Sequence, residues 1–202
     1  MTGICLATED ALSEAVVDRL VAEVNHGLEV VVRIGRKGNE FLKKKLPELC
    51  AWSKSTPVVL VTDLDRGECP LRLILEWAHG ASLPHRLLFR VAVREVEAWL
   101  LADREAFSEF VGAPINKVPL HPEILDTPKQ TLLGLVRRYG RRQLKNELLP
   151  APGSLAPVGL GYNSVLIDYV NNSWSPQRAS MNADSLARAQ IRLHELGSNV
   201  NG

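Results

Sequence analysis

The sequence predicts an α/β protein built on a parallel four-stranded sheet flanked by helices, with a helical C-terminal region. Three observations carry that prediction. Apolar, β-branched runs alternate with segments of helical period, the pattern of a sheet covered by helices. The runs are apolar almost throughout, as in strands buried on both faces. Each run then ends in charged or turn-forming residues that hand the chain to a helix.

Taken in order, the first strand is Gly3 to Thr8 and leads into a helix over Ser13 to Val24, with Ala15, Val16, Leu20, Val21 and Val24 on one face. A second strand, Glu29 to Ile34, ends in the basic, glycine-containing loop GRKGN before a helix over Glu40 to Leu49. The third strand, Val58 to Thr62, follows Pro57 and runs into DLDRGECP, whose Gly67 and Pro70 are turn residues. A short helix, Leu71 to His79, precedes the fourth strand, Leu87 to Val93. This strand passes directly into REVEAWLLADREAF, which has helical spacing through Val96, Trp99, Leu100 and Phe107. These four βα units make residues 1–112 one domain. Residues 113–202 form a helical extension packed on the same core: a proline-rich crossing loop, a helix over Thr127 to Lys145 with Pro128 in its first turn, a second loop (APGSLAPVGLG), and helices over Tyr162 to Val170 and Ser185 to Leu196. Asn182 and Asp184 are candidate caps for the last helix, and the terminal GSNVNG is expected to fray.

Composition narrows the function classes. With 46% apolar residues in 202, the chain can bury one sizeable core. Its net charge of +1, from 24 Lys and Arg against 23 Asp and Glu, excludes a molecule-wide polyelectrolyte surface, so any nucleic-acid surface is local. Three cysteines without CxxC spacing fit a reduced, cytoplasmic chain. No apolar run approaches the roughly 18 to 20 residues that span a bilayer, and the first residues lack a basic leader, so neither membrane insertion nor export is expected.

In an open parallel sheet, ligands bind beyond the carboxyl ends of the strands. Those ends deliver Glu9 and Asp10, then Arg36, Lys37, Gly38 and Asn39, then Asp63 and Asp65, then Glu95 and Glu97. So many carboxylates repel one another unless cations bind or some stay protonated. Hard oxygen ligands suit Mg²⁺ or Mn²⁺, which use one or two carboxylates and complete their shell with water and substrate phosphate. Asp63 and Asp65, leaving a buried strand, can turn toward one ion. An isolated Asp-x-Asp is also ordinary turn chemistry; the continuously apolar VVLVT before it and Glu9 at the end of another strand favour the metal. Arg36, Lys37, Gly38 and Asn39 either present N–H groups and charge to a phosphate at a helix start or form a plain exposed connector. The loop lacks the GK[ST] ending of an ATP-binding motif.

Glu9 before a helix, with Asp63-x-Asp65 after a later strand, resembles the Toprim domain of topoisomerases, primases and OLD-type nucleases. TEDALSEAVVDRL, KGN, VTDLDRG, REVEAWLLAD and PEILDTPKQTLL together resemble a family of small bacterial Toprim-related proteins, often encoded beside AAA or ABC-type ATPases in defence loci. One departure is that Asp10 follows Glu9 where Toprim chains commonly have glycine. The resemblance implies a Toprim-like Rossmannoid fold, a Mg²⁺-dependent nuclease acting on DNA or RNA, and an ATPase partner. It makes Asp63 and Asp65 metal ligands and Glu9 either a further ligand or the general acid/base.

Glu14, on the first turn of the first helix, either contributes to the metal through water or simply complements the helix dipole. Glu97 is expected to point into the crevice as a metal ligand. RRYGRRQLK sets Arg138 and Arg142, like Arg137 and Arg141, four residues apart, for nucleic acid or an acidic partner, or merely to favour a helix end. Trp99 fits the core better than a stacking platform, and the five histidines show no metal-ligand spacing. Two other readings remain open: a subunit whose main work is docking on and regulating an ATPase, and a metal-dependent phosphatase or nucleotide-handling enzyme.

Overall fold

The structure, a computed structural model, describes residues 2–24 and 27–199. A four-stranded, all-parallel sheet with flanking helices and a helical C-terminal region is present, a Rossmann-like α/β arrangement. The strands are β1 (Thr2–Thr8), β2 (Leu28–Gly35), β3 (Val58–Asp63) and β4 (Leu87–Ala92), in the spatial order β2-β1-β3-β4. Helices α1 (Ala11–Ala22), α2 (Asn39–Trp52) and α3 (Pro70–Trp77) connect them.

Strand β1 neighbours β2 on one side and β3 on the other, so the direction of winding reverses between β1 and β3. Both strands are buried along nearly their whole length, which is why their sequences do not alternate. Period two still separates the faces. Cys5, Ala7, Val58 and Leu60 pack with Leu42, Leu46 and Leu49 of α2 and Trp77 of α3. Trp77 meets Phe89 of β4 at 5.3 Å between ring centroids.

Two compact units divide the chain: Met1–Val93 with Ser185–Gly202, and Arg94–Asp184. The sequence-based boundary at 112 therefore shifts to 93, and the last helix, α10 (Asp184–Asn199), belongs mostly to the sheet-bearing unit. There, Ser185 Oγ accepts from the Val93 amide at 3.3 Å, and Arg90 of β4 lies in the field of Arg188 and Arg192.

The second unit is all helical: α4 (Val96–Ala102), α5 (Arg104–Val111), α6 (Pro128–Tyr139), α7 (Arg142–Leu148), α8 (Tyr162–Asn172) and α9 (Pro176–Ser180). Every residue of α4 is buried, so the REVEAWLLAD segment is the centre of this unit. Trp99 is core, as its spacing predicted, and its carbonyl accepts from Trp174 Nε1 at 3.0 Å. Two helices expected to be continuous are broken. Asp103 leaves helical geometry and caps α5, and Gly140 turns the chain between α6 and α7. The proline-rich segment contains two short 3₁₀ turns, Ile115–Lys117 and Pro122–Ile124. The side-chain amide of Asn182, a candidate cap for the last helix, donates to the Ala102 carbonyl at 2.9 Å. Of the segment expected to fray, residues 197–199 continue α10, and residues 200–202 lie outside the described residues, as does His26. Among the described residues no helix is long and apolar enough to cross a membrane.

Candidate functional site

The carboxyl ends of β1 and β3 meet where the winding reverses, the position at which open parallel sheets bind ligands. Thr8 pairs with Val61, so the next residue of each strand, Glu9 and Thr62, come level. Glu9 Oε1 accepts from the Thr62 hydroxyl and, at 2.8 Å, from the Asp63 amide. Those two bonds favour the carboxylate, but burial outweighs them and pushes the Glu9 carboxyl above its ordinary value, helped by Asp65 and Asp10. A half-buried acid with neutral donors on one oxygen and anions around it is suited to exchanging a proton.

Asp63 closes β3 and Asp65 follows with φ 50°, a left-handed conformation that Asp tolerates better than most residues. The turn is closed by the Gly67 amide on the Leu64 carbonyl at 2.8 Å. Asp63 and Asp65 both line an open cavity of about 390 Å³, together with Asn39, Lys43, Arg66 and Arg72. Lys43 is paired with Glu76 and Arg72 with Glu68. Arg66 is exposed, and no ion pair engages it among the described residues. Sequence reasoning passed over Arg66, although it sits inside the DLDRG segment that drew attention to the aspartates. It also passed over Thr62, whose signal was its position opposite Glu9.

The loop after β2 is built onto this edge by its backbone. A Cβ on Gly35, which has φ 126°, would lie 1.8 Å from the Thr8 carbonyl oxygen, so only glycine lets β2 finish so close to β1. The amide of Arg36 donates to Thr8 O and that of Gly38 to Glu9 O, each at 3.0 Å. Asn39 Nδ2 then donates to Asp65 Oδ2 at 3.3 Å, linking the second and third strand ends.

Other predicted members fall elsewhere. Asp10 caps α1, accepting from the Ser13 amide at 2.8 Å, which explains a carboxylate where glycine was expected. Arg36 is not aimed at a phosphate: its Nε and Nη2 bind Glu14 at 2.9 and 2.7 Å. Arg33 adds a third bond to Glu14 at 3.2 Å. Bonded first of all by Arg36, the buried Glu14 carboxyl is held below the usual range, and this ion pair accounts for it without a metal. Lys37 lies over the Phe41 ring, 5.1 Å from its centroid. Glu97 is not among the cavity residues. It is buried inside the helical unit, where Oε1 accepts from the Tyr162 hydroxyl at 2.7 Å and pairs with Lys129 at 3.3 Å. Burial pushes its carboxyl upward. Arg138 and Arg142 are exposed in that unit and are not among the residues that line the cavity.

Among the described residues no group of three or more His, Cys, Asp or Glu is gathered tightly enough to hold a metal ion. The donor set is instead two aspartates on an open, wettable cavity. That fits Mg²⁺, which keeps several waters and accepts one or two carboxylates, and does not fit a closed all-protein cage. Comparisons with models of known protein families, with curated proteins and with solved structures find no match.

Proposed function

We propose that this chain is a divalent-metal-dependent phosphodiesterase of Toprim type, a nuclease acting on DNA or RNA. The observation that supports it most is the meeting of Glu9 with Asp63 and Asp65 at the reversal point of the sheet, beside an open cavity that also carries cationic side chains. Asp63 and Asp65 would hold Mg²⁺ or Mn²⁺, with Asp65 oriented by the amide of Asn39. When bound, the ion neutralises charge that develops on the phosphate and lowers the pKa of its water. Glu9, held at one oxygen by Thr62 and the Asp63 amide, receives or returns a proton at its carboxyl group. Arg66 contributes charge at the cavity wall, where a phosphate oxygen is attracted.

The resemblance to small Toprim-related proteins encoded beside ATPases supports a second part of the proposal: the chain is the effector subunit of an ATPase-containing defence complex. Plasmid DNA, RNA and nucleotides are incubated with the purified chain and Mg²⁺ or Mn²⁺, alone and with any ATPase encoded beside it. Metal-dependent cleavage of a polymer is expected, with Asp63→Ala and Asp65→Ala each lowering the rate by about 100-fold or more. Unchanged cleavage by either variant sinks the metal assignment, and turnover of nucleotides alone favours the phosphatase reading.

A further inference from the structure

From Pro128 to Lys145 the chain carries six Lys and Arg and no Asp or Glu, against a net charge of +1 for all 202 residues. The fold concentrates this excess at one corner. Helix α6 ends at Tyr139, the Gly140 amide donates to Val136 O at 2.8 Å, and α7 starts at Arg142. A Cβ on Gly140 would lie 2.6 Å from Val136 O, so the tight corner requires glycine. Two arginines stand on each side of it, Arg137 and Arg138 before and Arg141 and Arg142 after, and all four are exposed.

None of the four forms an ion pair among the described residues. Other cations of the same unit have internal work: Lys129 binds Glu97, Arg178 binds Asp103, and Arg104 donates to the carbonyls of Val118 and Ile115. Arg141 shares the rim of a cavity of about 280 Å³ with Glu109 and Glu147 without pairing to either. A helix C-terminus is satisfied by the pair Arg137 and Arg138 alone. Adding Arg141 and Arg142 beyond it sets like charges together with no carboxylate paired to them among the described residues.

We propose that this arginine corner docks the sugar–phosphate backbone of duplex nucleic acid, without reading base sequence. Guanidinium forks match phosphate oxygens two at a time. Tyr139, inside the corner, is half-buried and already covered by Arg138, whose guanidinium carbon lies 5.3 Å from its centroid. That ring is therefore not free for the bases of a single strand to stack on. Between Pro128 and Leu149 no large apolar side chain is exposed, so the corner lacks the apolar centre of a protein interface. The inference rests on the nuclease reading for its biological sense, but its test needs no cleavage.

The Asp63→Ala chain in EDTA is titrated with a duplex of about 20 base pairs, a single strand of the same length and polyglutamate, over salt from about 50 to 200 mM. Duplex binding is expected to be tightest. Changing Arg137, Arg138, Arg141 and Arg142 together to Ala should weaken it at least about tenfold and flatten the plot of log K against log salt by about 3 to 4, near 0.9 per lost phosphate contact. The four-lysine version should keep most of that slope, and the control Lys44→Ala with Lys54→Ala should leave it unchanged. Circular dichroism confirms that the variants are folded. The proposal is overturned by undiminished duplex binding in the four-alanine chain, by an equal loss in the control, by preference for the single strand or polyglutamate, or by no binding at low salt. If binding behaves as expected while the wild-type chain cleaves nothing, the corner stands and the nuclease reading falls.

Discussion

Two carboxylates, the buried Asp103 of the helical unit and the half-buried Glu9 at the sheet edge, are treated in opposite ways. Asp103 is 1% exposed and accepts from the amides of Ala106 and Ser175 and from both Nε and Nη2 of Arg178, the last three at 2.7 to 2.8 Å. Its charge is neutralised and its lone pairs are used. Glu9 has only a hydroxyl and an amide, both on Oε1, and the charges that bear on it are those of Asp65 and Asp10. No cation among the described residues pairs with it. Asp103 is built to hold helices together. The sheet edge keeps negative charge that a cation from outside can answer.

Breaking the Asp103 network should have the largest effect on stability. Asp103→Ala strands two amides and the Arg178 guanidinium, and loss of one partner from a buried pair costs about 3 to 5 kcal/mol. Because Arg178 is itself 41% exposed and can turn to water, the low end, about 3 kcal/mol, is expected in urea denaturation. A loss below about 1 kcal/mol would make the network ornamental and erase the contrast with Glu9. The sheet edge is instead shaped by backbone approach. Gly35→Ala must move the Thr8 carbonyl or abandon a φ of 126°, so a loss of about 2 kcal/mol is expected in the same assay. Because β2 carries the loop that reaches Glu9 O and Asp65, this variant should also weaken metal binding measured by calorimetry.

The same contrast explains what could be read in advance. Strands such as VVLVT declare themselves because burial on both faces demands unbroken apolar runs, and Asp63 and Asp65 are legible because they interrupt such a run where the strand ends. Glu9 beside Thr62 needed the strand order, which no local pattern encodes. The partners of Glu97 could not be read in advance, because its nearness to β4 in sequence says nothing of Tyr162 and Lys129, which lie 65 and 32 residues onward. Arg36 was misread for the same reason: a cation in a glycine loop looks like a phosphate ligand until Glu14, on another element, is found bonded to it. The breaks at Asp103 and Gly140 fell inside good helical periodicity. There a cap and a close backbone contact overrode the pattern.

The smallest predicted effect bears most directly on Glu9. Burial raises its carboxyl above the ordinary 4.5, so between 4.5 and the folded-state value the folded chain binds more protons than the unfolded one. Stability contributed at this position therefore falls as pH rises through that window and stays lower above it. Glu9→Gln keeps a carbonyl oxygen to accept from Thr62 and the Asp63 amide but carries no charge. In EDTA the variant should be the more stable chain at pH 7, with the gap closing as pH drops below 4.5, a sign opposite to that of an acid held by a cation, such as Glu14. Thermal denaturation of both chains across this range reads the difference. If Glu9→Gln is instead less stable at pH 7, Glu9 is neutralised within the folded chain as Asp103 is, and the edge no longer needs a cation from outside.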